Sequence, residues 1–191
     1  MIYIAIGALG FLVIHLFDLV SLKRLAGAKP FTWIVGSGLV VYGLAMTCLQ
    51  SDKLLLPIWL AWLGWGLFSI SLLLLLYSLF INLPFRKTYI ATGVSDKLIK
   101  TGMYALVRHP GVPWLILLML SLILVSRSSL MLIAAPIFVL LDIVLVIVQD
   151  KFIFGRMFDG YDSYRQETPM LVPNRQSINV FINSLKQQSR A

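Results

Sequence analysis

Residues 111–150 read "GVPWLILLMLSLILVSRSSLMLIAAPIFVLLDIVLVIVQD". Two apolar runs, 112–125 and 130–148, flank the polar break "SRSS", and between its ends the segment has only Arg127 and Asp142 as charged residues. Runs of this length without a polar stripe read as membrane helices, and the short break between them reads as the turn of a helical hairpin. The first run is too short to cross by itself. It either borrows "MYALV" on its N-terminal side or forms one leg that stops short of the far face.

The rest of the chain agrees with a membrane setting. Of its 191 residues, 59% are hydrophobic and 13% charged, and the mean hydropathy is +0.90. A soluble domain carries roughly 25% charged residues, so a water-exposed globular surface is excluded. Three further apolar blocks precede the hairpin, at 2–22, 31–49 and 54–85; Gly36, Gly38 and Gly43 in the second suit close helix packing. The third block is long for one crossing and is expected to tilt or to emerge, with Pro84 ending it. No basic residue precedes the first block and no small-residue cleavage site follows it, so it reads as an uncleaved span. No linker divides the chain, and one membrane domain covers 1–191: three spans (1–85), a loop (86–111), the hairpin (112–148) and a tail (149–191) whose end, past about Asn174, reads as a surface helix or disordered.

The basic residues set an orientation. With the N-terminus outside, Lys23, Arg24, Lys29, Arg86, Lys87, Lys97, Lys100, Arg108 and all of those in the tail fall on the cytoplasmic side. Only Lys53 and Arg127 fall outside. The fold class expected is therefore an all-α polytopic membrane bundle of about five transmembrane elements with a cytoplasmic C-terminal tail. The +8 charge sits in loops rather than on a basic face, which argues against nucleic acid. The lone Cys48 reads as a small buried hydrophobe.

Ionisable residues inside spans are costly and mark a polar cavity or an interhelical hydrogen bond. His15 and Asp18 share one helix face, as do Asp142 and Gln149. The segment Arg108-His109-Pro110 differs in kind. Pro110 disfavours helix at His109 and suits the first position of a helix. His109 then stands near an N-cap, beside the free amides of a helix start and an arginine able to fork onto a carboxylate. A lone arginine at a membrane edge is usually a snorkelling anchor; this triplet reads as an anion or carboxylate pocket.

"LIKTGMYALVRHP", residues 98–110, resembles the start of the core shared by isoprenylcysteine carboxyl methyltransferases and integral membrane phospholipid methyltransferases. Gly102, Tyr104, Arg108, His109 and Pro110 stand at that core's spacing. An apolar hairpin, Gln149-Asp150, "MFDGY", Tyr161, Tyr164 and "TPMLVP" follow in its order as far as Pro173. The resemblance implies an S-adenosylmethionine-dependent methyltransferase acting on a lipophilic small-molecule or lipid substrate at the cytoplasmic face of a bilayer, with a prokaryotic cell membrane as the expected location. It implies a cofactor pocket of Gly102, Tyr104, Arg108, His109, Pro110, Gln149, Asp150 and Tyr161. Arg108 would hold the methionyl carboxylate, Asp150 the ammonium group and Tyr161 the adenine, with Arg108 and Asp150 as the catalytic pair. The chain departs from the pattern at Val112 and Trp114 and at Gln149, which stands where an acid is usual. Two other readings stay open: a non-catalytic membrane protein that keeps the pocket, and a sterol-reductase-like enzyme using a nicotinamide. The residues show no metal cluster and do not identify the methyl acceptor.

Overall fold

The computed structural model describes residues 1–23, 25, 27–83, 86–90 and 98–188. Among them the chain is helical and forms no strand, only an isolated bridge between Lys53 and Ser128. We number the helices α1 (Ile2–Leu22), α2 (Ala28–Cys48), α3 (Ile58–Ile81), α4 (Met103–Leu106), α5 (Gly111–Ser126), α6 (Ser129–Met157), α7 (Tyr161–Glu167) and α8 (Arg175–Gln188). Helices α1, α2, α3 and α6 are long and apolar enough to cross a membrane. Helix α5 has 16 residues and rises about 24 Å, short of a hydrocarbon layer of about 30 Å. The five expected elements are thus four full-length helices and one short leg.

Several boundaries differ from expectation, each for a local reason. The block at 54–85 is not helical from its start. The Leu54 amide donates to the Arg127 carbonyl at 2.6 Å, and Pro57, with φ −55° and ψ 141°, holds the chain extended until α3 begins. Apolarity alone does not separate an extended segment from a helix. Its expected end at Pro84, like Arg24 and Lys97, lies outside the described residues. "MYALV" does not lengthen α5; Met103–Leu106 is a separate turn, and Val107 after it is extended. The tail starts later than expected, because α6 continues past Val148 through a π-helical turn, Gln149–Ile153, to Met157. Residues Arg175–Gln188 form a helix, one of the two outcomes expected for the end of the tail, the other being disorder.

Glycine decides the closest helix approach. A Cβ on Gly10 would come within 2.7 Å of the Val40 amide nitrogen, and one on Gly43 within 2.7 Å of that of Gly7. Backbones of α1 and α2 therefore touch along this seam, the contact expected of Gly36 and Gly43; Gly38 faces open space. The core gathers Ile4 and Phe11 of α1, Leu118 and Met119 of α5, and Met131, Ala134 and Phe138 of α6. Phe11 stacks on Phe138 with ring centroids 5.9 Å apart. Leu9, Trp62, Leu73 and Leu140 face outward, as residues solvated by lipid chains would.

The polar connections collect at two opposite ends. At one end, Lys53 Nζ donates to the carbonyls of Cys48 and Ser126, both at 3.1 Å. Ser128 Oγ donates to the Thr47 carbonyl at 2.8 Å, and the Ser129 amide to that of Asp52 at 3.0 Å. The α2–α3 and α5–α6 connections, which the charge distribution put on one side, are thus laced together. The candidate site lies at the other end.

Candidate functional site

The approach to the site is set by Gly102, whose φ of 61° belongs to the region glycine enters freely. Asn82 fits against it: its Oδ1 accepts the Met103 amide at 2.8 Å and its Nδ2 donates to the Thr101 carbonyl at 3.1 Å. Helix α3 ends in a π-helical turn, Tyr77–Ile81, which leaves carbonyls without helical partners. Tyr104 donates its hydroxyl to one of them, the Ser78 carbonyl, at 3.3 Å. Tyr89 donates to another, that of Leu79, at 3.0 Å.

The chain then runs extended and is held by the segment after α7. The Arg108 amide donates to the Pro169 carbonyl at 2.9 Å and the His109 amide to that of Met170 at 3.1 Å. Pro110, with φ −67°, leads into α5 at Gly111. Tyr164 Oη donates to the Tyr104 carbonyl at 2.6 Å, tying α7 to the same strip.

Four of the expected residues meet in one cluster. Arg108 forks onto Asp150, Nε to Oδ1 at 2.8 Å and Nη2 to Oδ2 at 3.1 Å. Its Nη1 donates to the carbonyls of Arg165, at 2.9 Å, and of Thr168. Tyr161 Oη donates to Asp150 Oδ1 at 2.6 Å. The side chains of Arg108 and Asp150 are 7% and 4% exposed, so this is a buried, fully partnered ion pair. His109 Nε2 stands 3.6 Å from Asp150 Oδ1 and has no hydrogen-bond partner, while its ring stacks on Phe154 at 5.7 Å. Arg165 Nε lies 3.5 Å from Asp150 Oδ2 on a side chain 45% exposed, at the lip of the cluster.

Burial pushes the Tyr161 and Tyr104 hydroxyls above the ordinary phenol range, and Asp150 adds to the effect on Tyr161, so both stay protonated donors. Burial lowers His109 below its usual value, opposed by the neighbouring Asp150, which leaves a neutral imidazole with unused hydrogen-bonding capacity.

The π-helical turn in α6 separates two neighbours. Asp150 turns into the cluster, whereas Gln149 Nε2 donates to Asp18 Oδ2 of α1 at 2.8 Å. Gln149, expected in the pocket, is thus outside the cluster, and Asp150 is its acid. Gly102 and Tyr104 sit in the approach rather than beside the ion pair. His15 and Asp18 do not bond to each other, and Asp142 makes no hydrogen bond. Sequence reasoning missed Asn82, Phe154, Arg165 and the Thr168 to Met170 carbonyls. "TPMLVP" was the one available signal, and it does not say that backbone carbonyls hold Arg108.

Comparison of the chain with family models, curated proteins and solved structures gave no match in any of the three. The motif spacing and the geometry above therefore carry the functional argument.

Proposed function

We propose that the chain is a membrane-spanning methyltransferase that uses S-adenosylmethionine and acts on a lipophilic acceptor at the cytoplasmic face. The observation that carries this reading is the meeting of Arg108, His109, Asp150 and Tyr161 in one buried cluster at the head of α5. These are residues on which the sequence resemblance rests.

The donor set suits the cofactor's amino-acid end. That end is zwitterionic, and the cluster offers one fixed cation, one fixed anion and an unpartnered His109 Nε2. Arg108 would hold the carboxylate, aided by the α5 amides. Asp150 would hold the ammonium, and the Tyr161, Phe154 and Phe158 rings would offer faces to the adenine. The cofactor supplies an electrophilic methyl on a sulfonium, so the protein's task is positioning and exclusion of water rather than acid–base chemistry. Because Arg108 and Asp150 satisfy each other, binding requires an exchange of partners, which Arg165 at the lip can assist by following Asp150 or releasing it.

One observation favours a second reading. The saturation of Arg108 is also what a structural brace would display in a non-catalytic membrane protein.

Calorimetric titration of the purified protein with S-adenosylhomocysteine separates the two. Binding that His109→Ala weakens at least tenfold supports the methyltransferase. Absence of binding at millimolar ligand refutes it, and binding of a reduced nicotinamide instead would favour the reductase reading. Methyl transfer from labelled cofactor to a membrane extract would then identify the acceptor.

A further inference from the structure

Helix α6 carries an acid that the cluster does not use. Asp142 is half-buried within the span, and among the described residues neither a hydrogen bond nor an ion pair engages it. Helical spacing puts Phe138, Asp142, Leu145 and Gln149 along one face of α6. Two members of that face contact α1: Phe138 stacks on Phe11 at 5.9 Å, and Gln149 donates to Asp18 at 2.8 Å. Between Phe11 and Asp18, the same face of α1 carries His15, also half-buried. His15 and Asp142 therefore occupy one α1–α6 seam, closed at one end by stacked rings and at the other by an amide–carboxylate bond. No hydrogen bond or ion pair joins them.

Depth sharpens the question. The start of α6 is fixed at the laced end, where the Ser129 amide meets the Asp52 carbonyl. A hydrocarbon layer of about 30 Å, measured from there at about 1.5 Å per residue, ends near Gln149. Asp142 lies about 10 Å inside that edge. A carboxyl at such depth is costly to insert, and such groups elsewhere find a partner or a ligand.

We propose that the α1–α6 seam binds a lipophilic amine, a single-chain amphiphile whose nitrogen pairs with Asp142 beside His15. The chemistry of the seam selects this class. Asp142 and His15 offer acceptors, and Lys29 of α2, which lies over the Phe17 ring at 5.6 Å, stands by Asp18 rather than by Asp142. A carboxylate or phosphate ligand would find acceptors and no facing cation at Asp142, and the phosphate of an aminophospholipid would have to leave the interface to bring its amine this deep. The alkyl chain would lie along the exposed Leu12 and Leu16 of α1, which flank His15 on the outer side of the seam. This site stands apart from the Arg108 cluster and does not depend on methyl transfer.

The test uses the full chain in phosphatidylcholine nanodiscs, titrated with dodecylamine, dodecanol and dodecanoate, with the thermal midpoint as readout. Dodecylamine should stabilise the protein at concentrations at least tenfold lower than either of the others. Asp142→Asn should abolish that preference while leaving the response to S-adenosylhomocysteine unchanged. Replacing phosphatidylcholine by phosphatidylethanolamine should give no stabilisation, which separates a free amine from a lipid head group. Without amine, Asp142→Asn should melt no lower than the wild type, because an unpartnered carboxyl has been removed. Equal response to the three probes, a preference that survives in Asp142→Asn, or stabilisation by phosphatidylethanolamine would overturn the proposal. A lower melting point of Asp142→Asn would too, since it would place the carboxyl in an internal pair.

Discussion

Replacing Asp150 by Asn changes little in volume and removes the charge on which the cluster is built. The Arg108 guanidinium, 7% exposed, then keeps two carbonyl acceptors but loses the carboxylate that receives its Nε and Nη2. An amide offers one oxygen and presents a donor to the other nitrogen, so one of the two forked bonds becomes a donor–donor clash. Tyr161 loses a charged acceptor at 2.6 Å. Breaking one partner of a buried pair costs about 3–5 kcal/mol. For a chain of this size, each kcal/mol lowers Tm by about 2–4 °C, so the expected fall is roughly 6–20 °C. Scanning fluorimetry of the purified protein, followed through its tryptophans, measures it. The double variant Arg108→Met/Asp150→Leu, which removes both charges, should recover most of the loss, because a buried ion pair is often replaceable by apolar residues at little cost. A fall below about 2 °C in Asp150→Asn, which on the same scale is about 1 kcal/mol or less, would refute a buried, mutually dependent pair.

Other consequences are equally direct. Gly102→Ala forces a side chain into a positive φ and onto Asn82, and should cost at least about 1 kcal/mol as a lowered midpoint. Gly43→Val drives a branched side chain into the Gly7 backbone and should separate α1 from α2, lowering the midpoint by more than Gly38→Val, which meets open space. His109 titrates below its ordinary value when folded, so as pH falls through about 6.5 the unfolded chain takes up the proton first and stability declines. His109→Gln should flatten the stability profile below about pH 6.5, measured as the unfolding midpoint at stepped pH.

Helix positions were legible because nothing but length and apolarity is needed to recognise a span, and α1 falls where the first block does. The starts and stops that were missed turn on backbone detail. The extended Leu54–Pro57 segment is as apolar as a helix, and the π-helical turn at Gln149–Ile153 leaves no mark on hydropathy. The cluster was legible only by motif spacing, because its members come from distant parts of the chain: Asp150 lies 42 residues from Arg108, and Thr168 lies 60. That these charges would satisfy each other, and that backbone carbonyls would complete the set, follows from folded geometry alone. The i,i+3 spacing of His15 and Asp18 was legible too, yet the bond that Asp18 makes is to Gln149, on another helix.

The two ends of the bundle are fastened in different ways. At the Lys53 end, several backbone bonds, with others from Lys53 and Ser128, tie α2, α3, α5 and α6 through their connections, and opening it means breaking them together. At the Arg108 end, two backbone bonds hold residues 108–109 to 169–170, and α6 is attached to them through one carboxylate, Asp150, whose side-chain partners can be exchanged one at a time. Motion of the helices should therefore pivot about the Lys53 end and grow toward Asp150. The chain keeps a fixed base and a single charge-controlled clasp, and a ligand able to substitute for Asp150 on Arg108 would act as the key to that clasp.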